Sequence, residues 1–141
     1  MNDIKQLAEC YIKKLGGPDN VNACRRLIEA DHSIITYLIE VFRTEKDTAI
    51  RAELVEIVWQ HRVSQTMVMD FLAEALGNKQ PEIWKNALDG LVTLGGDSAM
   101  QILESFRQRV LKNSGENLEQ LEWIDEAIQQ IREKEDKKEN S

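Results

Sequence analysis

The chain has 141 residues, a formal net charge of −7, 42% apolar residues, two prolines and seven glycines. That length suits one domain around a continuous core. The negative balance disfavours a nucleic-acid backbone or an anionic membrane, because both need basic residues gathered on one face.

The first predicted helix runs from about Asn2 to Leu15, with Ile4, Leu7, Ala8, Tyr11, Ile12 and Leu15 at helical spacing. Gly16, Gly17 and Pro18 end it, and Asp19 or Asn20 caps a short second helix carrying Val21, Cys24, Leu27 and Ile28. A third starts near Asp31 and places Ile34, Ile35, Leu38 and Phe42 on one face. After the polar turn 43–47, Asp47 caps a helix over 48–62 and Ser64 caps another over 65–77, closed by Gly77-Asn78. Pro81 opens a helix over 82–94, at a position where its missing N–H costs nothing. Gly95 and Gly96 close that helix, and Asp97 caps 98–112. A loop over 113–116 precedes a last helix from about Asn117 to Lys134, and 135–141 is expected to fray.

Two of these helix pairs repeat. Ile50, Leu54, Val55 and Val58 fall at the spacing of Ile83, Ala87, Leu88 and Leu91, 33 residues on. Met67, Val68, Phe71, Ala75 and Leu76 correspond to Ile102, Leu103, Phe106, Val110 and Leu111, 35 residues on. Trp123, Ala127, Ile128 and Ile131 continue the first series at an offset of 40. A helix pair recurring at this period marks an α-solenoid, whose units stack because none can bury its apolar face alone.

The stretch from Ala75 to Met100 resembles the HEAT repeat of bacterial proteins. It runs through Ile83-Trp84 and Ala87-Leu88, then ends its first helix in Leu94-Gly95. Ile50-Arg51 matches that repeat's aliphatic–arginine pair, whereas Ile83-Trp84 lacks the arginine. The resemblance implies an all-α, right-handed α-α superhelix (a HEAT-like solenoid) of about three repeats and 7–8 helices, one domain over 1–136. Residues 1–30 would cap the N-terminal end, 31–112 form the repeats and 117–134 close the stack. Second helices would line a concave face, which leaves Tyr37, Glu40, Asp70, Glu74, Gln101, Glu104 and Gln108 pointing away from the core. That set is acidic and rich in amides.

Chemistry finds little purchase. His32 and His61 share no metal-binding spacing with each other or with Cys10 and Cys24, and read as surface or capping residues. The cysteines read as free thiols on helix faces. Carboxylate pairs such as Glu53 with Glu56 read as solvated charge. The paired glycines lack the lysine of a phosphate loop. Of three tryptophans, Trp123 is assigned to end-cap core and Trp59 to partial burial between repeats. Trp84 stands where an arginine is usual, so it packs between repeats or serves as an exposed anchor. Met67 is assigned to the core and Met69 to the surface.

These features point to a cytoplasmic, non-enzymatic module without a cofactor. The start Met-Asn-Asp-Ile-Lys lacks the apolar run of a secretory signal, and no window approaches a membrane span. The expected partner is another protein with a basic surface, bound by the seven polar residues above with Trp84. A sharper form is an immunity-type inhibitor of a basic toxin. The competing class is an accessory subunit of an enzyme such as a HEAT-like chromophore lyase.

Overall fold

A computed structural model describes residues 3–61, 65–112 and 118–139 of the chain. Among them are eight helices and no strand: α1 (Asp3–Ile12), α2 (Asn20–Glu29), α3 (Ile34–Thr44), α4 (Thr48–Gln60), α5 (Gln65–Leu76), α6 (Pro81–Leu94), α7 (Gly96–Lys112) and α8 (Leu118–Glu139). The all-α reading holds. No helix is long and apolar enough to cross a membrane among the described residues. The expected cap at Ser64, the loop 113–116 and the start at Asn117 lie outside those residues.

Local chemistry sets most helix boundaries. Asp47 accepts a hydrogen bond from the Ile50 N–H at 3.1 Å and so caps α4 as expected. Pro81 opens α6, and Gly95 and Gly96 end it with φ of 63° and 84°, a left-handed path that a β-carbon would strain. Four boundaries and one cap differ. Helix α1 ends at Ile12 rather than near Leu15, since the Lys14 and Leu15 N–H groups reach back only three residues. Asp19 makes no side-chain cap on α2, and Asn20 instead accepts from the Gly16 N–H at 2.7 Å. Helix α3 begins at Ile34 because Asp31 turns its carboxylate onto the Ser33 N–H at 2.9 Å. Helix α7 begins at Gly96, which puts Asp97 inside its first turn. Helix α8 continues to Glu139, so most of the segment expected to fray is helical.

The helices lie in two rows. In one, α2 packs on α4, α4 closely on α6, and α6 on α8; in the other, α1 packs on α3 and α5 touches α7 more sparsely. Between the rows runs a core whose largest fully buried side chains include Leu27, Leu38, Phe42, Leu54, Phe71, Leu72, Ile83 and Leu103. Each such side chain contributes roughly 1.5–3 kcal/mol by leaving water. Phe42 and Phe71 meet edge to face, with centroids 5.0 Å apart.

Four helix C-termini, whose last carbonyls lack intrahelical partners, receive side chains from elsewhere. His61 Nε2 lies 2.8 Å from the Leu27 carbonyl of α2, and Arg51 Nε donates to the Phe42 carbonyl of α3 at 3.0 Å. Gln120 reaches the Leu76 carbonyl of α5 and Lys134 the Val92 carbonyl of α6, both at 3.3 Å. Arg51 also stacks on the Phe42 ring at 4.3 Å. In the later copy Trp84 takes this position and meets Trp123 edge to face at 6.1 Å instead.

Several apolar assignments change. Met67 is 40% exposed and Met69 is buried, the reverse of expectation. Met69, Leu72 and Leu76 form one helical stripe facing inward, whereas Met67 turns toward Thr36, whose hydroxyl donates to its sulfur at 3.9 Å. Leu7, Val21 and Leu111 are likewise exposed.

Candidate binding face

The row formed by α1, α3, α5 and α7 is the looser of the two, and two grooves open beside α7. One, of about 560 Å³, lies between α5 and α7. Met69 and Ala73 from α5 and Ile102 and Phe106 from α7 supply its apolar lining, with Asp70 and Arg109 on opposite helices. The Arg109 guanidinium lies 5.2 Å from the centre of the Phe106 ring, a cation–π contact that holds the charge over the groove. A second groove, of about 760 Å³, lies between α7 and α8 and is polar. Arg107 pairs there with Asp125 at 2.6 Å and Arg132 with Glu104 at 3.6 Å, both across the two helices. Gln101 and Ser105 line both grooves, so α7 is the ridge between them.

The residues expected to form the binding face divide into two groups. Asp70, Gln101, Glu104 and Gln108 border the grooves. Tyr37, Glu40 and Glu74 lie outside both. Tyr37 donates its hydroxyl to Glu9 at 3.2 Å, and burial, chiefly, with Glu9 beside it, raises its pKa. Glu74 is held by Arg43 through two hydrogen bonds of 2.7 and 3.0 Å. Glu40 is exposed.

Trp84 is not an exposed anchor. It is 5% exposed, because α6 is covered by α4 on one side and α8 on the other, so its apolar face is wide enough to take both Ile83 and Trp84. Trp123 is the half-exposed tryptophan, at 42%, rather than end-cap core. It occupies the position of Ile83 in the repeated series, and among the described residues α8 packs mainly on α6 and α7, which leave this face of the indole open. Lys85 lies 4.6 Å from the Trp123 ring and 5.6 Å from that of Trp84, with Glu119 pairing to it at 3.3 Å. Trp59 is buried, a degree further than partial burial.

The face is not the acidic surface expected. Glu74 and Glu104 are neutralised by Arg43 and Arg132, and Arg107 and Arg109 stand along the same ridge. Acidity concentrates on α8, whose sequence carries eight carboxylates against four cations. Arg107 and Arg109 are not among the residues expected on this face, and Ile102 and Phe106, members of the repeated apolar series, line its groove. The 107, 109 spacing puts the two guanidinia on different sides of one helix, one toward each groove.

A second cluster lies where α2 and α4 end. His32, in the turn before α3, and His61, following α4, bring their Nδ1 atoms to 3.3 Å. The rings are 76° apart in plane with centroids separated by 5.6 Å. His61 is buried and His32 exposed. Burial first, then His32, hold the His61 imidazolium pKa below its ordinary value, against the opposing pull of the Leu27 carbonyl.

No family model, curated protein or solved structure matches the chain. Its chemistry must be read from its own side chains. Cys24 Sγ lies 3.9 Å from Glu53 Oε2, and burial, with Glu53 and Glu56 nearby, pushes its thiol up to about 11. Such a thiol is protonated at neutral pH and a poor nucleophile. Burial raises Glu53 as well, partly offset by hydrogen bonds from Asn20 and Cys24. Among the described residues no three His, Cys, Asp or Glu side chains converge as metal ligands.

Proposed function

We propose that this chain is a right-handed, HEAT-like solenoid of about three repeats, that it is cytoplasmic, and that it binds another protein along the α7 ridge. The two-row packing and the 33–35-residue recurrence support the architecture. Free Cys10 and Cys24 suit a reducing compartment. The observation that carries the binding reading is the α5–α7 groove, where Met69, Ile102 and Phe106 are flanked by one acid and one base on opposing helices. A groove so lined suits an amphipathic helix, whose apolar side chains fill the floor while its own charges meet Asp70 and Arg109. The carboxylates of α8 and the net charge of −7 draw a basic partner in at long range, so attraction and docking reside on different surfaces.

Capture of a partner from cell extract by the wild-type chain and by the Asp70→Lys/Arg109→Glu variant tests this reading. Loss of the partner in the groove variant, with retention in an Arg25→Glu control on α2, supports it. A partner that binds both variants equally removes the groove as the interface. Substitution of the α8 acids slows association at low salt and leaves dissociation unchanged.

A further inference from the structure

We propose that His32 and His61 form a proton-gated clasp, fastening the α2–α3 turn to the end of α4, and that mild acid opens it. Three pieces of geometry carry this. First, His61 Nε2 lies 2.8 Å from the Leu27 carbonyl. A carbonyl only accepts, so Nε2 bears the hydrogen, and the Nδ1 of neutral His61 is a bare lone pair. Second, that lone pair faces His32 Nδ1 at 3.3 Å, so His32 must donate its own Nδ1–H. Third, the centroid separation of 5.6 Å exceeds the nitrogen separation by about one ring width. The two nitrogens therefore point head-on, the arrangement of a shared proton. Two lone pairs converging on a metal ion would meet at an angle and bring the centroids closer.

The clasp has room for one proton between the rings. When His61 Nδ1 also takes a proton, two N–H donors face each other with no acceptor between them, and a positive charge develops on a buried ring. His61 is anchored to Leu27 and shielded, whereas His32 is exposed, so His32 swings away. Among the described residues, the groups acting on the pair are few. The Leu27 carbonyl faces it from α2, and Asp31 acts on His32 from the turn. The nearest carboxylate of α4 to the pair in sequence, Glu56, is engaged by Gln60 at 3.1 Å.

The depressed pKa of His61 fixes the direction. Below the ordinary value of 6.5 the unfolded chain binds a proton that the closed fold does not. The clasp's contribution is therefore full above that value and declines as the pH falls through it toward the lower folded value. The N–H groups of Ile34 and Ile35, bonded to the Asp31 and His32 carbonyls at 3.0 and 3.1 Å, report the opening directly.

The test combines imidazole nitrogen NMR with amide hydrogen exchange on the full chain, comparing wild type, His32→Ala and His61→Gln. In the wild type at neutral pH, His61 carries its hydrogen on Nε2 and titrates below 6.5. Exchange at Ile34 and Ile35, corrected for its intrinsic pH dependence, accelerates about tenfold between about pH 7.5 and about pH 5. In His32→Ala the His61 titration moves upward, and in both variants the corrected exchange is flat. The exposed position of His32 makes His32→Ala sufficient if His61→Gln folds poorly. A hydrogen on His61 Nδ1 at neutral pH overturns the proposal. So does a His61 titration unmoved by His32→Ala, or acceleration that persists in His32→Ala.

Discussion

Trp59 lies across Gly90 so closely that a β-carbon at Gly90 would come within 2.7 Å of the indole Cδ1. The glycine sits mid-helix in α6, where it gives up about 1 kcal/mol of helix propensity relative to alanine. Its return is the close approach of α4 to α6. The indole cannot easily withdraw, because Trp59 Nε1 donates to Asn86 Oδ1 at 3.2 Å. Overpacking here outweighs the propensity gain, so Gly90→Ala should destabilise the fold by about 1–2 kcal/mol net, read from urea unfolding. Trp59→Leu combined with Gly90→Ala should cost less than the two losses added, which a double-mutant cycle measures.

Arg51 combines a hydrogen bond to the Phe42 carbonyl with a stack on the same residue's ring. Removal of both by Arg51→Ala should cost about 1.5–3 kcal/mol, since a charged donor is lost from a helix terminus. Arg51→Lys should recover less than half of the loss, because an ammonium cannot lie flat on a ring and donate sideways at once. Thermal melts of the three proteins give the comparison.

Tryptophan accessibility separates the buried Trp84 from the half-exposed Trp123. Acrylamide should quench one emitting tryptophan readily and leave two protected. Trp123→Phe should abolish the accessible fraction with little change in stability. If instead Trp84→Phe removed it, the packing of α6 against α8 would be wrong.

The Cys24 thiol should alkylate with a pH profile whose midpoint lies near 11, measured in a Cys10→Ser background. Glu53→Gln should lower that midpoint by removing a neighbouring charge, yet leave it above 9.0 because burial is the leading cause. The same substitution should raise stability at neutral pH. A carboxylate whose folded pKa is raised contributes stability that is full below its ordinary 4.5 and lost as the pH rises through the folded value. The advantage of the glutamine variant should therefore vanish in acid.

Helix positions were legible in the sequence wherever a local group sets them. Asp47, Pro81 and the Gly95-Gly96 pair act through their own backbone neighbours, and they stand where periodicity placed them. Which face of a helix is covered depends on what stands beside it, and there the sequence was ambiguous. Met67 and Met69 are chemically alike, and only the position of α7 decides that Met69 turns inward. Of the two readings open for Trp84, packing holds because α6 has α4 on one side and α8 on the other, whereas Trp123 on α8 is only half covered. The histidine pair was invisible for a different reason. Its members lie 29 residues apart, and only the stacking of α2 on α4 makes them neighbours.

The unequal tightness of the two rows has a mechanical consequence. Where α4, α6 and α8 are locked by interdigitated side chains, the chain resists stretching; where α5 meets α7 more sparsely, small displacements disturb few contacts. Flexing is thus concentrated on one flank, as in a book that opens about its spine. A small change in the width of the cleft between α5 and α7 therefore disturbs the interior least.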